Sequence, residues 1–297
     1  MRLAVFLGCT IPARARNYEL SAAKVAERLG IDFVYLNEFA CCGFPMRSTR
    51  HAFADALAAR NLAIAESENL DICVLCSACS AVLAEVDHIM KTDPVRRSVI
   101  NHHLGAIGRT YNGTISVRHL TRILFEEVGT ETIRSHFQFD LTSLIVAPHH
   151  GCHYLKPSDA HGAFDDPEHP VSLGALIRAT GASAVDLQNR KHCCGGAILA
   201  VNSDITYRLA AQKLEAATHS ASDCMCVICP FCAVIYDDNQ KPIEQYLTRE
   251  FDLPVLYLTQ LIGLAMGIEP KELGFNMNKV KAARILEKIE SRLSHDS

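Results

Sequence analysis

Short apolar runs alternate with longer amphipathic stretches along the whole chain. Apolar runs of a few residues, bounded by glycine or polar positions, read as buried strands, and apolar residues recurring at three- and four-residue spacing read as helices. In the first half the pattern predicts strands over residues 3–7, 33–36, 72–75 and 114–117, and helices over 18–29 and 52–68. In the second half it predicts strands over 143–147, 184–187, 225–228 and 254–256, with helices over 173–179, 205–218 and 258–264. A last amphipathic stretch, 277–293, reads as a C-terminal helix packed on a domain or a partner. Parallel strands need a crossover between them, so strand–helix alternation implies a parallel sheet covered by helices on both faces. The expected fold class is α/β, built from small Rossmann-like parallel sheets.

The second half repeats the first. Residues 3–9 correspond to 144–152, 33–43 to 184–195, 73–79 to 226–232, and 117–124 to 255–262. Four matching blocks in one order argue for duplication, and a period of about 140–150 residues fits two domains rather than a solenoid. The length of 297 residues agrees, at roughly 100–200 residues per domain. The division falls near residue 142, giving similar domains over 1–142 and 143–297.

Composition narrows the function. With 49% hydrophobic and 21% charged residues, the chain has material for packed cores and is not a disordered one. A net charge of −4 supplies no basic surplus for a phosphate backbone, which argues against nucleic acid as a partner. The longest apolar candidate, 254–267, is interrupted by Thr259 and Gln260, so no membrane span is expected. The N-terminal apolar stretch over 3–7 is too short for a signal peptide and is followed by arginines, which points to a cytoplasmic location.

Cysteine is the anomaly. Thirteen in 297 residues fall below the density of a disulfide scaffold, ~8–10%, and clustered cysteines in a cytosolic chain bind metal or do redox work. Each repeated block places its cysteines just after a predicted strand, the edge where open parallel sheets bind ligands. Cys9, Cys41, Cys42, Cys76 and Cys79 can converge in the first unit, and Cys152, Cys193, Cys194, Cys229 and Cys232 in the second. A closed zinc site needs only four ligands, so a fifth thiol points to a multi-iron centre, for which soft thiolates are suited. Neighbouring side chains of extended backbone point apart, so the Cys41-Cys42 and Cys193-Cys194 pairs suit an opened or enlarged cluster better than a simple cubane. Gly43 and Gly195 follow the pairs and permit positive φ and a close backbone approach.

The spacing completes a signature. In unit one, 31 residues separate Cys9 from Cys41 and 33 separate Cys42 from Cys76; in unit two the intervals are 40 and 34. Together with Gly151-Cys152-His153, His192-Cys193-Cys194-Gly195 and the segment 254–267, this resembles the duplicated cysteine-rich CCG signature of the B subunit of heterodisulfide reductase, over nearly the whole chain. The resemblance implies that each quintet holds one noncubane [4Fe-4S] cluster and that the two clusters face each other across a small-molecule or carrier-bound disulfide, which is cleaved or formed there. It also implies two partners from the same heterodisulfide reductase complex: the ferredoxin-like C subunit and, through it, the flavin-containing A subunit. Residues 105–108 lack the strand–glycine–helix context of a dinucleotide site, so electrons are expected from a partner. Two other readings stand beside this one, a non-catalytic iron–sulfur relay protein and a zinc-stabilised binding protein.

Other residues are weighed against plainer roles. His153, next to Cys152, is the candidate proton donor, ahead of His149, His150 and His192. Cys73 and Cys226 extend the terminal motifs but lie within buried-strand patterns and read as core, as does Cys224. Arg47, Arg50, Lys156 and Arg190 are candidate cations for an anionic substrate tail, against the plainer reading of solvated or surface-paired cations. Residues 166–170, with two prolines, read as a rigid turn.

Overall fold

The computed structural model describes residues 1–189 and 191–293; Arg190 lies outside the described residues. Two four-stranded parallel sheets form its frame. The first contains β1 (Arg2–Phe6), β2 (Asp32–Val34), β3 (Ile72–Val74) and β4 (Val117–His119), in the order β2-β1-β3-β4. The second contains β5 (Ile145–His149), β6 (Ser183–Ala184), β7 (Cys224–Val227) and β8 (Val255–Tyr257), in the order β6-β5-β7-β8. The shared order is the fold's record of duplication. Registers agree as well: Phe6 lies opposite Val74, and His149 opposite Val227.

In each sheet the chain leaves the first strand in one direction and later returns to its other side. The crevice between β1 and β3, and between β5 and β7, is therefore a topological switch point. The central strands are buried throughout, as continuous apolar runs in parallel sheets should be.

The predicted helices appear as Arg16–Arg28, His51–Ser67, Ser172–Ala179, Ser203–His219 and Leu258–Ala265. Strand ends shift by one to three residues. Two long helices of the first unit, Ser77–Thr92 and Pro94–Gly105, carry no sequence assignment, nor do the short helices Thr10–Arg14, Leu120–Ile123 and Thr130–Arg134. The C-terminal helix begins at Ala283, not at 277. The intervening backbone is committed elsewhere: Lys279 and Val280 donate their N–H groups to the Asp237 carboxylate, and the Asn278 amide donates to the Val255 carbonyl.

The two units interlock by exchange of equivalent elements. Helix Arg16–Arg28 packs on helix Leu258–Ala265, while helix Ser172–Ala179 packs on the short helix Leu120–Ile123. At the first contact Tyr18 stacks on Tyr257 with centroids 4.1 Å apart and planes 7° from parallel. The Ser21 and Thr259 hydroxyls hydrogen-bond at 2.7 Å beside them. Among the described residues no helix is long and apolar enough to cross a membrane.

Candidate metal centre between the two units

The cysteines of both quintets leave the sheets at corresponding places. Cys9 follows β1, Cys41 and Cys42 follow β2, and Cys76 follows β3; Cys152, Cys193/Cys194 and Cys229 follow β5, β6 and β7. Cys76 and Cys229 are each the extended residue before a helix, with φ/ψ of −115°/121° and −130°/127°. Cys79 and Cys232 lie in the first turns of those helices. The free N–H groups and dipole of a helix start favour an anionic sulfur.

The glycines after the pairs act through their backbone. Gly43 has φ +92°, and a Cβ there would lie 2.7 Å from the Ala54 carbonyl oxygen; Gly195 has φ +79°, and its Cβ would lie 3.0 Å from Thr206 Cα. Any side chain would push the CCG turn off its supporting helix. In return the turn aims N–H groups at sulfur: Gly43 donates to Cys41 Sγ at 3.4 Å, Gly195 to Cys193 Sγ at 3.3 Å, and Gly196 to Cys194 Sγ at 3.4 Å.

The thiols are close to one another. Cys152 and Cys193 sulfurs are 4.0 Å apart, and Cys194 and Cys232 sulfurs 3.6 Å apart. In the first unit Cys42 bonds both Cys41 and Cys79. The two sets also lie near each other, because the Cys76 and Cys229 thiols are close enough to influence one another across the boundary. Hydrogen bonds from neighbouring thiols hold Cys42, Cys193 and Cys229 well below the ordinary thiol range. Cys41, Cys152 and Cys232, as the partners in such bonds, are pushed up. Thiolate character, the form that binds metal, is thus concentrated on Cys42 in the first set and on Cys193 and Cys229 in the second.

A cavity of about 60 Å³ touches all five cysteines of the second quintet. Its remaining wall includes Phe44, Ser77 and Ala78 from the first unit. Phe44 meets the His153 ring edge-on, with centroids 5.0 Å apart at 87°. His153 Nδ1 is 3.1 Å from Cys152 Sγ. Around the two quintets lie buried polar atoms without partners: both His149 ring nitrogens, the Tyr236 hydroxyl, and the Ser77 and Ser80 hydroxyls. Five soft donors, sulfur-directed N–H groups, a glycine cradle and orphaned polar atoms fit a thiolate-bound metal cluster on each set.

A brace from the first unit fixes the approach to the second set. The Tyr18 hydroxyl donates to the Ile228 carbonyl at 3.3 Å. His119 Nδ1 accepts the Thr121 N–H at 3.1 Å, so its proton sits on Nε2, which donates to the same carbonyl at 3.1 Å. Ile228 immediately precedes Cys229. Sequence reasoning missed this brace, together with Phe44 and Lys213; the repeat itself was the available signal, since it pairs Lys213 with Asn61.

The other candidates lie as follows. Cys73, Cys226 and Cys224 are buried within β3 and β7, where loss of solvent pushes their thiols up; they pack the core. Arg47 forms a two-pronged pair with Glu85, both contacts at 2.7 Å. Lys156 pairs with Glu168 at 3.3 Å, and Lys191 pairs with the same carboxylate. Arg50 is exposed just before helix His51–Ser67, and His192 is exposed beside Cys193. His150 is buried after β5.

Residues 3–84 and 146–235 match the cysteine-rich CCG domain. The chain is 34% identical over 292 residues to the B subunit of the ferredoxin:CoB-CoM heterodisulfide reductase of Methanosarcina mazei, covering 97% of both chains. It is 31% identical over 283 residues to the membrane anchor subunit of the 8-methylmenaquinol:fumarate reductase of Wolinella succinogenes, covering 95% of this chain and 98% of that one. A crystal structure of a hypothetical protein from Helicobacter pylori shares the fold, with a TM-score of 0.78 at 15% identity over 94% of this chain. The chain spans about half of that protein, 52%.

Proposed function

This chain belongs to the family of heterodisulfide reductase B subunits, with the cysteine-rich CCG domain present twice, and we propose that it is the disulfide-handling iron–sulfur component of a cytoplasmic complex of that kind. In this reading Cys9, Cys41, Cys42, Cys76 and Cys79 hold one noncubane [4Fe-4S] cluster, and Cys152, Cys193, Cys194, Cys229 and Cys232 hold a second. The units divide near residue 142, and each contributes one side of the site. The observation that carries the proposal is the convergence of the second quintet on the first unit: all five second-unit thiols line one cavity, and Phe44, Ser77 and Ala78 of the first unit close it.

The bound clusters supply single electrons, two of which a disulfide needs to become two thiols. The chain's own residues do the rest. The CCG turns aim backbone N–H groups at the sulfurs of Cys41, Cys193 and Cys194. Phe44 meets His153 edge-on and forms part of the cavity wall. His153 is the catalytic candidate: its ring nitrogen, 3.1 Å from Cys152 Sγ, is placed to hold a proton beside a product thiolate. A small-molecule or carrier-bound disulfide is the substrate. Electrons enter from a ferredoxin-like C subunit and, through it, a flavin-containing A subunit.

The test is metal and flavin analysis of anaerobically prepared protein. About eight irons per chain and no flavin are expected; zinc in their place, or iron well below that level, overturns the reading. A second reading, an electron relay, draws on the 31% identity to the Wolinella succinogenes anchor protein. Single-turnover reduction of a disulfide by the reduced, isolated chain separates the two, since a relay returns no thiol.

A further inference from the structure

The two quintets occupy equivalent backbone positions but differently charged surroundings. Phe6 ends β1 and His149 ends β5, each opposite the corresponding valine of the next strand. Asn61 and Lys213 occupy the same position of two 17-residue helices, His51–Ser67 and Ser203–His219. That equivalence is anchored by Gly43 lying against Ala54 and Gly195 against Thr206, matching positions of the same helices.

Both polar replacements turn toward the second quintet. His149 is 1% exposed, and neither ring nitrogen has a hydrogen-bond partner. A ring nitrogen of His149 and the Cys194 and Cys232 sulfurs all lie within 4.8 Å of one another. Its ring meets Tyr236 edge-on, with centroids 5.0 Å apart at 78°. Lys213 is fully buried, donates to the Asn189 carbonyl, and is close enough to Cys232 and His149 for a direct electrostatic influence on both. In the first unit, Phe6 packs against Phe39 at 5.1 Å, Asn61 spends its amide on the backbone of Ala40, Cys41 and Leu57, and Arg47, near Cys42, is tied to Glu85 by two contacts at 2.7 Å, so its charge is offset by that carboxylate.

An unpartnered N–H beside sulfur and a buried cation both favour the more negative, reduced form of an iron–sulfur centre; an apolar wall offers neither. Resting on the two-cluster reading above, we propose that His149 donates a hydrogen bond into the second iron–sulfur centre and that, with Lys213, it makes this centre the more easily reduced of the two. Each centre takes up one electron, and the electron therefore rests first on the second unit's centre.

The test is a potentiometric titration, followed by electron paramagnetic resonance, of the anaerobically prepared full chain. Cys42→Ala and Cys194→Ala variants assign each signal to its unit. In the wild type the second centre is expected to be reduced at least tenfold more favourably than the first, about 59 mV for one electron. His149→Phe, which installs the first unit's residue, is expected to remove most of that tenfold difference while leaving the first centre unchanged. His149→Gln, which keeps an N–H, restores part of it, and Lys213→Gln gives a smaller shift in the same direction. A second centre in His149→Phe within twofold of wild type, with iron retained, overturns the proposal. Should that variant lose iron, the decision passes to His149→Gln and Lys213→Gln, and an unchanged potential in both overturns it equally. Iron content near eight with equal potentials would defeat this inference alone; absence of iron would defeat the reading beneath it.

Discussion

The first and second units share strand order, cysteine placement and glycine-supported CCG turns, yet what faces the sulfurs differs. Around the first quintet stand Phe6, a neutral Asn61 tied to the loop backbone, and near Cys42 an Arg47 already paired with Glu85. Around the second stand His149, His150, His153 and Lys213. Duplication copied the parts that position ligands, which depend on backbone geometry. The side chains beside the sulfurs were free to diverge, so one scaffold carries two unlike surroundings.

The largest expected effect tests whether the quintets are independent. Cys42→Ala or Cys194→Ala is expected to lower iron from about eight to about four per chain, each abolishing one spectroscopic signal. Loss of all iron from either variant would mean that the two sets form one indivisible centre. Next comes the glycine support. Gly43→Ala brings a Cβ to 2.7 Å from a backbone oxygen at φ +92°, and an expected cost of about 2–4 kcal/mol follows from strain and displacement. Gly195→Ala meets Thr206 Cα at 3.0 Å and is expected to cost about 1–2 kcal/mol. Urea denaturation under anaerobic conditions ranks the pair, and equal losses would erase the difference in packing.

Acid probes one buried histidine from each unit. Burial lowers both His119 and His161 from 6.5 to about 4. The unfolded chain then takes protons first, so their contribution is complete above pH 6.5 and is lost as pH falls toward 4. The slope is about 1.4 kcal/mol per pH unit for each histidine. His161→Gln is expected to flatten that slope by one histidine's share, measured by denaturation across this range; an unaltered slope would remove His161 from the account. The smallest effect belongs to the brace. Tyr18→Phe removes one of two donors to the Ile228 carbonyl and keeps the stack on Tyr257, for an expected loss of ~0.5–1 kcal/mol in the same assay. A loss several times larger would show that His119 does not share that load.

Much of the frame is legible in the sequence because it is written locally. Strand runs, the amphipathic helices and the cysteines at strand ends all follow from short-range pattern, and the repeat set them in order. Helix Ser77–Thr92 escaped because it is buried on nearly every side and shows no clean polar face. The C-terminal helix was read too long because Asn278 is held extended, with φ −63° and ψ 134°, its side-chain amide donating to the Val255 carbonyl. The contacts that join the units, Tyr18 with Tyr257 and His119 with Ile228, link residues more than a hundred positions apart and leave no local trace. His149 and Lys213 became informative only once the strand and helix registers paired them with Phe6 and Asn61.

Iron-edge anomalous diffraction from crystals of the anaerobically prepared protein tests the paired-site account most directly. Two separate groups of iron scatterers are expected, one against each quintet, on either side of the boundary between the units. A single group, or scattering at the zinc edge in place of iron, would contradict it.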